Sequence, residues 1–102
     1  MNNISYRNLF NLKGKVAVVT GGAGILGEHF CAGLAECGAN VAVVDVRAEK
    51  AKRLAQTLHT QYKVKTMGIG CNVAEPKSVK AMVSQVVKKL GRIDILQNNA
   101  AC

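Results

Sequence analysis

Short apolar runs alternating with stretches of helical periodicity predict an α/β fold, the first half of a doubly wound parallel sheet. Two observations carry this reading. Residues 15–20, KVAVVT, and 40–45, NVAVVD, are continuous Val-rich runs, the mark of strands buried on both faces. Between and after them, apolar residues recur at helical spacing. The element order is therefore β-α-β-α-β-α-β, which calls for parallel strands, right-handed crossovers and the spatial order 3-2-1-4.

Taken in order, KVAVVT is the first strand. Leu26, Phe30, Leu34 and Cys37 then fall on one helical stripe, expected to be the buried one, and Gly38 stops the helix. NVAVVD is the second strand. Ala51, Leu54, Ala55 and Leu58 mark a second helix, with Lys50, Lys52 and Arg53 off its stripe. Residues 63–70, KVKTMGIG, form a third strand weakened by two lysines and two glycines. Pro76 suits the first turn of a third helix. Its stripe of Val79, Met82, Val83, Val86, Val87 and Leu90 reads as core, closed by Gly91. Residues 92–97, RIDILQ, form a fourth strand, at the sheet edge yet patterned like a buried one.

The chain has 102 residues, 49% of them hydrophobic, with two Phe, two Tyr and one Pro. A domain of this length buries roughly 60–70% of its unfolded surface. The formal net charge of +8 raises nucleic acid as a partner. The basic residues are scattered and lack interleaved aromatics, so they read as solvated helix faces and no nucleic-acid partner is expected. Cys31, Cys37, Cys71 and Cys102 show no C-x-x-C pairing, and His29 and His59 stand alone, which argues against a metal site. The N-terminal residues lack the apolar core of a signal peptide and no run approaches a membrane span. A cytoplasmic protein with reduced cysteines and no membrane partner is expected.

The stretch VVTGGAGILGEHF, residues 18–30, holds the chemistry. Gly22, Gly24 and Gly27 spell G-x-G-x-x-G between a strand and a helix. In that pattern the first glycine permits the tight turn, the second lets backbone approach a pyrophosphate, and the third allows close helix–strand packing. Asp45 follows Gly22 by 23 residues, near the spacing of about 20 expected for the acid that holds an adenosine ribose. A carboxylate there accepts from the ribose hydroxyls and repels a 2′-phosphate, so NAD is expected over NADP, with Arg47 offsetting part of the repulsion. The other reading of Asp45 is a cap for the second helix.

These residues resemble the N-terminal part of the short-chain dehydrogenases/reductases, from about Leu9 to Ala101. The resemblance rests on GKVAVVTGGAGILG (14–27), VAVVD ending at Asp45, CNVAEPKSV (71–79) and IDILQNNAA (93–101). It implies a Rossmann-type fold of the compact single-domain kind. It also implies backbone around Gly21, Gly24, Ile25 and Leu26 along the pyrophosphate, and Asn72 and Val73 against the adenine. Asn99 and Ala100 would flank the ribose nearest the nicotinamide, and Thr20 and Asn98 would brace the strand ends. Three departures stand out. A glycine is shifted to Gly24 from the position of Ile25, as in the extended members that act on nucleotide sugars. Asn72 replaces an aspartate, and Ala101 replaces a glycine.

The resemblance further implies hydride transfer between nicotinamide and an alcohol or carbonyl carbon, and a homo-oligomeric full-length form. The family's proton chemistry needs a Tyr with a Lys four positions later. Tyr6 is followed at that spacing by Phe10 and Tyr62 by Thr66, so neither qualifies. The 102 residues are therefore expected to be the N-terminal, NAD-binding part of one Rossmann-type domain, without catalytic residues and inactive alone. The lead-in LFNLKGK and the sugar-type turn lean toward sugar-acid or polyol substrates. The competing readings are a nucleotide-binding module without turnover and an extended-type sugar-nucleotide epimerase or dehydratase.

Overall fold

The Val-rich runs at 16–20 and 40–45 lie side by side as the two central strands of a parallel sheet. In the computed structural model, which describes residues 11–99, the elements are β1 (Val16–Thr20), α1 (Ile25–Glu36), β2 (Asn40–Asp45), α2 (Ala48–Tyr62), β3 (Thr66–Gly70), α3 (Pro76–Leu90) and β4 (Ile95–Asn98). Tyr6, Ala100, Ala101 and Cys102 lie outside the described residues. The sheet order is β3-β2-β1-β4, as the alternation of elements predicts. Val16 pairs with Asn40 and Thr20 with Val44, which brings the C-terminal ends of β1 and β2 level.

Because side chains alternate along a strand, each central strand feeds two apolar layers. Val16, Val18, Ala42 and Val44 face α3 through Met82 and Val86. Val19, Val41 and Val43 face α1 and α2 through Cys31, Ala35, Ala51, Ala55 and Leu58. The valines of β1 and β2 are at most 1% exposed, and complete burial of such a side chain contributes roughly 1.5–3 kcal/mol. Burial pushes the Cys31 thiol up to about 12, with the Glu28 charge adding to the effect. It is a packing thiol. Among the described residues, no helix is long and apolar enough to cross a membrane.

Four sequence expectations shift. The buried face of α1 is Gly27, Cys31 and Ala35, whereas Leu26 and Phe30 are exposed. Small side chains face the sheet because the helix starts hard against the glycine turn, so bulkier neighbours are turned outward. On α3, Met82 and Val86 are buried, but Val83 and Val87 are exposed. β3 begins at Thr66 because Lys63 takes a left-handed conformation (φ 62°) that ends α2. β4 runs from Ile95 to Asn98, and the residues before it form a clamp. Asp94 accepts from Val16 N through Oδ2 at 2.9 Å and its own N–H donates to Val16 O.

Candidate functional site

The C-terminal ends of the strands open onto a cleft of about 770 Å³. Gly21, Gly24, Asp45, Asn72, Val73 and Asn99 line it together with Val44, Val46, Arg47, Cys71 and Ala74. The parallel register thus gathers six of the sequence-selected residues at the C-terminal ends of all four strands. The side chains of Ile25 and Leu26 are 83% and 62% exposed and do not line it. What they have to offer a ligand is backbone N–H groups in the first turn of α1, where no intrahelical acceptor exists. Ala100 falls outside the described residues.

The glycines divide the labour differently from the sequence expectation. Gly21, not Gly22, takes the left-handed backbone of the tight turn (φ 64°). Gly22 donates its N–H to Val44 O at 3.0 Å, and a Cβ there would lie 2.8 Å from Val19 O, so it is a packing glycine. Gly27 is also required for packing, since a Cβ would overlap the Gly21 carbonyl and stand 2.7 Å from Gly22 Cα. Gly24 is different. Its φ of −78° is open to any residue, and a Cβ would meet nothing nearer than Gly21 O at 3.4 Å. The fold itself does not demand glycine at 24, so its bare backbone is left for whatever enters the cleft.

Asp45 ends β2 with its side chain only 3% exposed. Its Oδ2 accepts from Ala23 N at 3.1 Å, and its Oδ1 accepts from Arg47 N at 3.0 Å. Arg47 Nε donates to Oδ1 at 2.9 Å and Nη2 to Oδ2 at 3.2 Å. Burial acts to raise the carboxyl pKa, but the hydrogen bonds and charge of Arg47, with the Ala23 N–H, outweigh it and hold the pKa below the ordinary value. The N-cap of α2 is Arg47, whose own side chain makes no cap hydrogen bond. Asp45 lies two residues before it and accepts from its N–H, so it supports the start of α2 without being the N-cap residue. The docking of Arg47 on Asp45 is the feature that sequence reasoning missed. An Arg two residues after a buried acid, with a fork matched to a carboxylate, is the signal that could have found it.

The remaining walls are largely self-supporting. Asn72 Oδ1 accepts from Ala74 N at 3.0 Å and its Nδ2 donates to Glu75 Oε1 at 3.2 Å, so one acceptor site of the carboxamide is already used. Thr20 Oγ1 donates to Asn98 Oδ1 at 2.6 Å, the brace between β1 and β4 that the resemblance implies. Asn99 N donates to Thr20 O at 3.0 Å, while its Nδ2 is buried with no hydrogen-bond partner among the described residues. A buried amide donor left in this way costs free energy, which is recovered when an acceptor arrives.

A Rossmann-type sheet with a glycine turn and an acid at the ends of its central strands defines a class of dinucleotide-fold proteins. Within that class, the chain belongs to the short-chain dehydrogenases: the family described as short chain dehydrogenase matches residues 15–102. It is 43% identical over 91 residues to the D-threitol dehydrogenase of Mycolicibacterium smegmatis, covering 89% of this chain and 35% of that protein. It is 37% identical over 97 residues to the NADP-dependent mannitol dehydrogenase of Alternaria alternata, covering 92% and 36%. Among solved structures, the L-sorbose reductase of Gluconobacter frateurii, complexed with NADPH and L-sorbose, matches with a TM-score of 0.86. That match has 32% identity and covers 91% of this chain and 35% of that one. The chain spans about a third of the length of these relatives.

Proposed function

We propose that these residues are the cofactor-binding part of a nicotinamide-dependent oxidoreductase that prefers NAD and acts on the alcohol or carbonyl carbon of a polyol or sugar. The observation that carries the proposal is the gathering of Gly24, Asp45, Asn72, Val73 and Asn99 around one cleft. The cleft fits a dinucleotide on two counts, the bare backbone at Gly24 and the Asn99 amide, which has no partner among the described residues. In this reading the Gly21–Gly24 turn and the start of α1 hold the pyrophosphate, and Asp45 holds the adenosine ribose. Asn72 and Val73 border the adenine, and Asn99 borders the ribose nearest the nicotinamide. Bound NAD would supply the hydride acceptor.

Two of the relatives named above use the phosphorylated cofactor. Asp45 argues for NAD here, because its carboxylate stays ionised and meets a 2′-phosphate with like charge. The polyol and sugar chemistry of those relatives favours turnover over a binding-only module. The Tyr and Lys that the family's proton chemistry needs do not occur at their spacing among these 102 residues, so these residues are read as the cofactor-binding part and no catalytic role is assigned to them. Steady NADH formation by the purified chain with a panel of polyols would overturn that reading.

Calorimetric titration of the chain with NAD and NADP tests the site. NAD should bind more tightly, and Asp45→Ser should narrow the gap by about 1.5–3 kcal/mol, the worth of hydrogen bonds to a charged acceptor. Gly24→Val should keep its circular dichroism but lose NAD affinity. Equal or tighter binding of NADP to the unmodified chain would sink the NAD assignment. Unchanged affinity in Gly24→Val would place the nucleotide elsewhere.

A further inference from the structure

The acceptor assigned to the ribose already has an occupant. Each Asp45 oxygen accepts two hydrogen bonds, one from a backbone N–H and one from the Arg47 guanidinium. The two backbone donors are fixed by the fold. The guanidinium is not, since the Arg47 side chain is 51% exposed and hangs on a flexible stem. It also reaches toward the glycine turn, where a Cβ on Gly24 would lie 3.7 Å from Arg47 Nη2. The guanidinium therefore fills the space between the turn and the acid, which a nucleotide joining them must cross.

Resting on the nucleotide reading above, we infer that Arg47 is a displaceable cover on Asp45, so that NAD binds only as the guanidinium leaves the carboxylate. The Asp45–Arg47 pair, not Asp45 alone, then sets how strongly NAD is preferred. With the cover in place, the charge of the acid is offset by the guanidinium and its acceptor sites are taken, which lowers NAD affinity. The same guanidinium offers a 2′-phosphate a fork of donors, which softens the penalty on NADP. Removing it acts on both cofactors in opposite directions. Asp45 itself stays in place, because Ala23 N and Arg47 N continue to hold it. Nor does the start of α2 depend on the side chain, which makes no cap hydrogen bond.

Calorimetry on the unmodified chain, Arg47→Ala and Arg47→Lys separates the outcomes. Arg47→Ala should bind NAD about two- to fivefold more tightly, the worth of a half-exposed ion pair. It should bind NADP about tenfold more weakly. Arg47→Lys, with charge but no fork, should fall between. In the unmodified chain, the Arg47 Nε–H resonance should be that of a hydrogen-bonded group and should shift on adding NAD, a readout independent of any variant. NAD affinity that is unchanged or weakened in Arg47→Ala, or an Nε–H resonance unmoved by bound NAD, overturns the cover. Failure of the unmodified chain to bind either nucleotide overturns the function proposed above, and the cover with it.

Discussion

The two faces of the sheet finish their packing to different degrees. On the α1 and α2 face, the buried residues are mostly small, and Gly27, Cys31, Ala35, Ala51 and Ala55 let two helices lie close against β1 and β2. On the α3 face, Met82 and Val86 reach the core, while Val83 and Val87 are 39% and 44% exposed and Leu96 of β4 is 66% exposed. A shallow apolar cavity of about 210 Å³ lies there, lined by Val18, Val73, Met82, Val83 and Leu96 among others. The difference teaches that the closed face is held by close approach and the open face by a few large side chains. Substitutions should therefore act differently on the two.

The largest effect is expected on the closed face. Gly27→Val places a branched side chain where even a Cβ overlaps the Gly21 carbonyl, and the obstruction is backbone that cannot rotate aside. Overpacking of this kind costs about 3 kcal/mol or more, enough to unfold a marginal domain. Urea denaturation followed by circular dichroism should show the cooperative transition lost or moved close to zero denaturant. A midpoint near that of the unmodified chain would mean that α1 is not seated as described.

That close approach also explains what the sequence showed and what it hid. The strand order and the turn were legible because they rest on local patterns: Val runs, glycines at fixed spacing, and Asp45 at the end of the second run. The stripe of α1 was misread because hydrophobicity favours Leu26 and Phe30 over Gly27, Cys31 and Ala35, whereas the geometry at the turn selects for size. Lys63 and Lys65 lie outside β3 because the backbone of Lys63 turns left-handed, a choice that no local pattern announces. Arg47 was noticed only as an offset to Asp45. Its bidentate docking depends on a side-chain conformation, which spacing alone does not specify.

A smaller and sharper contrast comes from two adjacent residues of one type on α3. Val86 is fully buried against β1 and β2, and Val87 is 44% exposed. Val86→Ala removes two buried methyl groups and leaves a cavity, a loss of about 2 kcal/mol. Val87→Ala should fall within about 0.5 kcal/mol of the unmodified chain. Equal losses, measured by urea denaturation, would mean that the open part of this face is covered in solution and that the contrast between the two faces does not hold.

The smallest effect is in the pH dependence, which two carboxylates carry, Asp45 and Asp94. Asp45 is held below the ordinary range as described above. Asp94 is held low first by the Val16 N–H, against a desolvation cost, and then by the hydrogen bonds and charge of Arg92 with help from Lys15. Both therefore have folded pKa values below the unfolded value of about 3.9. Their stabilisation is complete above that value and is lost as pH falls through the folded values. Between pH 7 and 5 these two groups should leave the urea midpoint unchanged, and below about pH 4 it should decline. Asp94→Asn removes one of the two titrations, so its decline in acid should be shallower, starting from a lower plateau. Its carboxamide oxygen still accepts from Val16 N, which keeps the β1–β4 clamp closed. If Asp94→Asn declined as steeply as the unmodified chain, the clamp would contribute nothing to acid sensitivity and β4 would be held by its backbone ladder alone.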